Sequence, residues 1–262
     1  MAHSLAAGNT APKKVDPRIF ENFEVQQARI DLAACFRMAS NLGMEEGICN
    51  HFSAVVPGTD DYFLVNPFGL AFQEIRASDL IICDFEGNVV QGDRAPEITA
   101  YYIHARVHKN LPRARVAFHT HMPYATSLAM VEGQPLQWAG QTSLKFYGRT
   151  AVDEFNGLAL DAQEGDRIAA AIGDADVVFM RNHGVMVVGK TIAQAWNDLY
   201  YLERACEVQV LAESTGRKLV PVHPKVAAAT YAQMRAGGDE SAVQHLESVK
   251  RRLQKTDPDF SS

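Results

Sequence analysis

The stretch Val116-Ala117-Phe118-His119-Thr120-His121, VAFHTH, is the one to read first, with Arg181-Asn182-His183-Gly184 as its counterpart. In an extended strand successive side chains alternate between faces, so His119 and His121 point together and Thr120 points away. Two imidazoles at one strand edge make a two-pronged claw for a first-row divalent ion. A third histidine would leave a coordination position open for water or substrate, as catalytic sites do and closed structural sites do not. His183 is the candidate third ligand. The competing reading is a histidine pair that faces solvent or is hydrogen-bonded in a core, and the short pattern by itself leaves both open.

The flanks give this strand its place. Upstream, Glu97 opens a helix behind Pro96, with Ile98, Tyr101, Tyr102 and Ala105 as its buried stripe, and Asn110-Leu111-Pro112 ends it. His104 and His108 of that helix are expected at flanking, exposed positions. Glu97 itself is ambiguous, since a first-turn carboxylate is favoured by the helix dipole alone. Downstream, Pro123 starts another helix, so the histidine strand is short, buried and flanked by helices.

From Val131 to Asp161, Gly133, Pro135, Gly140, Gly148 and Gly157 interrupt every pattern, which predicts loops, a short strand and at most a helical turn. A helix over Gln163–Ala171 closes at Gly173. Asp176–Met180 and Val185–Val188 read as two apolar strands that Gly184 and Gly189 bracket into a hairpin-like return, putting His183 at a sheet end. Thr191 caps a long helix reaching Glu213, on which Glu203 and Arg204 are expected as solvated charges. A short helix over Ala227–Met234 follows, then an amphipathic one carrying Val243, Leu246, Val249 and Leu253.

The first third reads as one helix and several short antiparallel strands. Val25, Ala28, Leu32, Phe36 and Ala39 keep helical spacing up to a stop at Gly43. GICNHFS, Gly47–Ser53, enters a hairpin that turns at Pro57-Gly58 and returns through Tyr62–Val65. Asn50 and Ser53 are candidates for holding substrate through amide and hydroxyl, with local turn bonding as the alternative. Asn66-Pro67-Phe68-Gly69 is a further turn before strands at Leu80–Asp84 and Val89-Val90.

Composition limits the function classes. The chain has 262 residues, 47% hydrophobic and 21% charged, enough for one large core. A net charge of −6 with mixed signs argues against nucleic acid as a partner. Cys35, Cys49, Cys83 and Cys206 are isolated, with no CxxC spacing, and are expected as reduced thiols of a cytoplasmic protein. No apolar run is long enough to span a bilayer, so no membrane partner is expected. Residues 1–17 are expected as a flexible arm and 18–262 as a single domain with C-terminal helices.

Five motifs in order, GICNHFSAVVPG, NPFGLAFQEIRASDL, the Glu97 helix, VAFHTHMPYA and RNHGVMVVGK, resemble the class II aldolase/adducin family across about Val25 to Glu213. The resemblance implies an α/β fold, a three-layer α/β/α sandwich with a mostly antiparallel central sheet, assembled as a homotetramer. It implies a divalent metal, zinc first and manganese, cobalt or iron as alternatives, on His119, His121 and His183. Glu97 becomes the acid/base and an occasional ligand, and Asn50, Ser53, Gly69 and Asn182 become substrate contacts. Tyr124 and Tyr147 are secondary candidates for a phenolic proton, with buried packing as the alternative.

The reaction expected from that family is retro-aldol cleavage of a small hydroxy-carbonyl compound through a metal-stabilised enediolate. Decarboxylation of a hydroxy or aromatic carboxylate and a non-catalytic adducin-type binding domain are the alternatives. Arg94-Ala95-Pro96 stand before Glu97 where sugar-phosphate members carry a Ser-Ser pair, which counts against a phosphorylated substrate. NPFGLAFQEIRASDL and RNHGVMVVG look closer to the adducin-like branch.

Overall fold

The computed structural model describes residues 17–262. The expected arm lies outside them, except for Pro17, which opens a short 3-10 turn (Pro17–Glu21). Asn22 then accepts the Val25 N–H at 2.8 Å and starts α1 (Phe23–Asn41), which ends where Gly43 takes φ +67°. β1 (His51–Val55) and β2 (Tyr62–Val65) form the expected hairpin, followed by β3 (Ile81–Asp84) and β4 (Val89–Gln91). Next come α2 (Ile98–Asn110), β5 (Val116–Thr120) and α3 (Pro123–Ala129), then β6 (Thr150–Asp153) and α4 (Ala162–Ile172). β7 (Val177–Met180), β8 (Gly184–Gly189), α5 (Ile192–Glu213), α6 (Pro224–Arg235) and α7 (Gly238–Thr256) complete the chain.

Among the described residues eight strands join one sheet in the order β4-β3-β2-β1-β5-β8-β7-β6, antiparallel throughout except between β6 and β7. α1, α3, α5 and α7 cover one face, and α2 with α4 cover the other, which makes the three-layer α/β/α sandwich. Strand alternation sorts the side chains between the layers. Phe52 of β1 and Phe118 of β5 stack at 4.1 Å under Phe36 of α1, while Ser53 and Ala117 face α2. α2 and α4 cross closely because Gly165 lies against the Tyr102 carbonyl and the Arg106 stem, leaving no room for a Cβ.

Two expectations are corrected. His104 and His108 are buried between α2 and the sheet instead of facing solvent, at 0% and 4% exposure. They hold the hydroxyl of Ser53 between them, with Oγ 2.6 Å from His104 Nδ1 and 2.7 Å from His108 Nε2. Glu203 is likewise buried, and its carboxylate accepts the Tyr124 and Ala125 N–H groups at 2.9 Å, capping α3 from α5. Its partners stand far away in sequence, so helical periodicity had no means of revealing them. Arg204 stays exposed beside Glu207.

Two outcomes follow from this packing. Gly165→Ala should lower stability by about 1–3 kcal/mol in urea denaturation, and an unchanged midpoint would contradict the close crossing. Burial pushes His108 down to about 4 and holds His104 well below the ordinary histidine value of 6.5. As pH falls below that value, the unfolded chain binds protons that the folded core refuses, so stability drains away on acidification and is fully present above it. Unfolding of metal-free protein between about pH 7.5 and 5 should show that loss, with a shallower slope in His108→Leu; equal slopes would contradict it.

Candidate metal centre

β5 and the turn between β7 and β8 bring the three histidines together. His119, the fourth residue of β5, pairs in register with Met186 of β8, and His121 follows just beyond the strand on the same face. The turn at Asn182, at φ +53° in the left-handed region that asparagine tolerates, delivers His183 beside them. Ring centroids lie 4.8 Å apart for His119–His183, 4.9 Å for His121–His183 and 5.0 Å for His119–His121. Gly184 follows because a Cβ there would meet the Thr120 carbonyl at 2.6 Å and the His121 ring at 2.8 Å.

Hydrogen bonds fix which nitrogens face inward. His119 Nδ1 lies 2.9 Å from the Val185 carbonyl oxygen, which only accepts, so this nitrogen carries the proton. His121 Nδ1 donates to the Glu46 carboxylate. With both rings neutral, as a metal ligand requires, the two Nε2 atoms present lone pairs, and they stand 3.2 Å apart. Two facing lone pairs repel unless a cation lies between them, and an outer N–H bound to carbonyl or carboxylate is the arrangement that metal-ligating histidines adopt. Ligand nitrogens of all three histidines fall within 4.8 Å of one another, and this cluster does not include Glu97. Burial holds His119 well below its ordinary value and His183 at about 4, which keeps both imidazoles neutral, the ligating form.

Glu97 sits at the N-cap of α2. Its Oε2 accepts the Ala100 N–H at 2.9 Å and the Thr99 hydroxyl, which leaves Oε1 outside the cap. Together with the three histidines it borders a cavity of about 440 Å³. Apolar walls come from Phe68, Ile103, Phe155, Leu158, Ile168 and Met180. Arg167 also lines it, but its guanidinium is engaged by Asp153 and Glu164, whereas Arg181 is held by the backbone carbonyls of Val131 and Gly133.

The remaining sequence candidates stand apart from that cavity. Asn50 is buried, and its Oδ1 accepts the N–H groups of Glu46 at 2.8 Å and His121 at 3.3 Å, clipping the Glu46 loop to the end of β5. Ser53 is spent on His104 and His108 beneath α2. Gly69 turns the chain at φ +92° next to cavity-lining Phe68, and Asn182 is exposed between Arg181 and His183, which do line it. Tyr147 packs on Trp138 at 5.5 Å, and Tyr124 packs against the main core.

Two residues at the site escaped the sequence reading. His51 borders the cavity and lies opposite His119 in the β1–β5 register, so the alternation that singled out His119 and His121 also marks the pair His51 and Ser53. Glu46 gave no such signal, because it reaches His121 from a loop.

The family model for the class II aldolase and adducin N-terminal domain matches residues 30–210. A solved aldolase II superfamily protein from Pseudomonas syringae is 33% identical, covers 92% of this chain and 97% of its own, and superposes with a TM-score of 0.87. The L-fuculose 1-phosphate aldolase of Glaciozyma antarctica is 27% identical over 97% of this chain and 98% of its own, with a TM-score of 0.80. Decarboxylase NovR of Streptomyces niveus is 29% identical over 77% of this chain and 76% of its own. The chain belongs to the class II aldolase and adducin family.

Proposed function

We propose that the chain is a metal-dependent carbon–carbon lyase that cleaves a small hydroxy-carbonyl compound by a retro-aldol reaction. The observation that carries this reading is the pair of bare Nε2 lone pairs on His119 and His121, 3.2 Å apart, with His183 and Glu97 at the same cavity. His119, His121 and His183 would hold the ion, zinc first, with manganese, cobalt and iron also suited to imidazole. When bound, the ion polarises a carbonyl and offsets the negative charge that develops as the carbon–carbon bond breaks.

The chain's own residues supply the rest. Glu97 is held through Oε2 by the helix cap, so its Oε1 takes the hydroxyl proton as the bond to the departing aldehyde breaks, and returns a proton to carbon afterwards. Glu46 and the Val185 carbonyl keep the imidazoles of His121 and His119 turned inward. Phe68, Phe155, Leu158 and Ile168 give the cavity an apolar lining that favours a substrate with an apolar or aromatic substituent over a phosphorylated polyol. The same reading has the chain act as a homotetramer.

The apolar wall and the resemblance to a decarboxylase favour a second reading, loss of carbon dioxide from a hydroxy or aromatic carboxylate. Here Arg181, whose guanidinium is bound mainly by neutral carbonyls, supplies the positive charge for the carboxylate. Metal-loaded protein offered hydroxy-carbonyl and carboxylate compounds separates the two: aldehyde without carbon dioxide is expected, and carbon dioxide without aldehyde would replace the aldol reading. Glu97→Gln should lower kcat about 10²–10⁴-fold while metal stays bound. Full metal occupancy with no turnover of either compound class would contradict both lyase readings and favour an adducin-type binding domain.

A further inference from the structure

A line of buried polar groups runs inward from the cavity between α2 and the sheet, and its hydrogen bonds have only one consistent direction. At the inner end His108 Nδ1 lies 2.6 Å from the Ala114 carbonyl oxygen, which accepts, so the proton is on Nδ1 and Nε2 is a lone pair. The Ser53 hydroxyl must then donate to His108 Nε2 at 2.7 Å, in preference to the Ala117 carbonyl at 3.5 Å. With its one proton used, Ser53 Oγ accepts from His104 Nδ1 at 2.6 Å. His104 Nε2 is left as a bare acceptor, buried and without a partner.

His51 stands next in the line. Its ring meets that of His104 edge to face, with centroids 6.0 Å apart, and stacks beside His119 at 6.1 Å. Its Nε2 is also buried and unpartnered, and it lies 3.9 Å from Glu97 Oε2. If that nitrogen were a lone pair, two acceptors would face each other across 3.9 Å with His51 Nε2 buried and unpaired, which is costly. A proton on His51 Nε2 removes the conflict.

We infer that His51 is a positioning residue, the neutral Nε2–H tautomer packed edge to face on His104 at the end of the Ala114–His108–Ser53–His104 string, so that it donates toward the Glu97 carboxylate. Catalytic hydrogen bonds are often long in ligand-free proteins and tighten when substrate binds, which suits the 3.9 Å separation. The proton on His51 keeps the Glu97 carboxylate turned to the metal centre, while the cap on α2 holds the same oxygen from the other side. This role for His51 rests on the reading of Glu97 as the acid/base; the tautomers do not.

Nitrogen NMR of histidine-labelled protein, metal-free and zinc-loaded, reads each tautomer directly in the wild type. The expected spectrum has Nδ1–H on His104 and His108 and Nε2–H on His51; Nδ1–H on His51, or Nε2–H on His104, would overturn the inference. With Glu carboxyl carbons labelled, His51→Phe should shift the Glu97 signal, and His51→Gln, which restores an N–H donor, should return it toward the wild-type position. A Glu97 signal indifferent to both changes would also overturn it. His51→Phe should still bind one zinc per chain, since His51 is no ligand; loss of stoichiometric zinc like that in His119→Ala would reassign His51 to the metal and overturn the positioning role. These readouts need no turnover, so failure of the substrate screen with the tautomers as expected would count against the lyase reading alone.

Discussion

The antiparallel pairing of β5 with β1 on one side and β8 on the other is the constraint on which the site depends. Registers His51↔His119 and His119↔Met186 fix which side chains face α2 and which face α1. A slip of one residue would move every side chain of β5 to the opposite layer, sending His119 among the phenylalanines and Phe118 into the histidine cluster. The stack of Phe36, Phe52 and Phe118 opposes that slip, because its rings lose their packing if β5 moves. The apolar layer thus holds the polar one in register.

The second theme is direction in hydrogen bonds. Two of the three histidines at the centre are oriented by an acceptor on the outer nitrogen: a carbonyl for His119 and a carboxylate for His121. The same logic extends inward through Ser53 to His108 and the Ala114 carbonyl. Polar groups are expensive in a core, and here each one determines the proton position of the next. Asn50 contributes in the same manner, binding the Glu46 loop to the backbone of His121.

Much of this was legible in the sequence. Alternation in VAFHTH puts His119 and His121 on one face, the turn at Asn182-His183-Gly184 brings a third imidazole beside them, Pro123 opens α3 and Thr191 caps α5 as their residue types imply, and Glu97, expected in the first turn of α2, stands at its N-cap. His104 and His108 were misjudged because polarity was weighed above period. With Tyr101 and Ala105 on the buried stripe, positions three and four further on share it, and only a partner such as Ser53, 51 residues away from His104, makes histidine tolerable there. Glu46, Glu203 and His51 act through partners that are remote in sequence or across a strand pair, and local pattern carries no information about such contacts.

The central claim is that the imidazoles of His119, His121 and His183 together hold a metal ion. Elemental analysis of untagged, chelator-free protein beside its His119→Ala variant tests it most directly. The account predicts about one zinc, manganese, cobalt or iron per chain in the wild type and loss of that ion in the variant. No metal in either protein, even after soaking with each of the four ions, would contradict it.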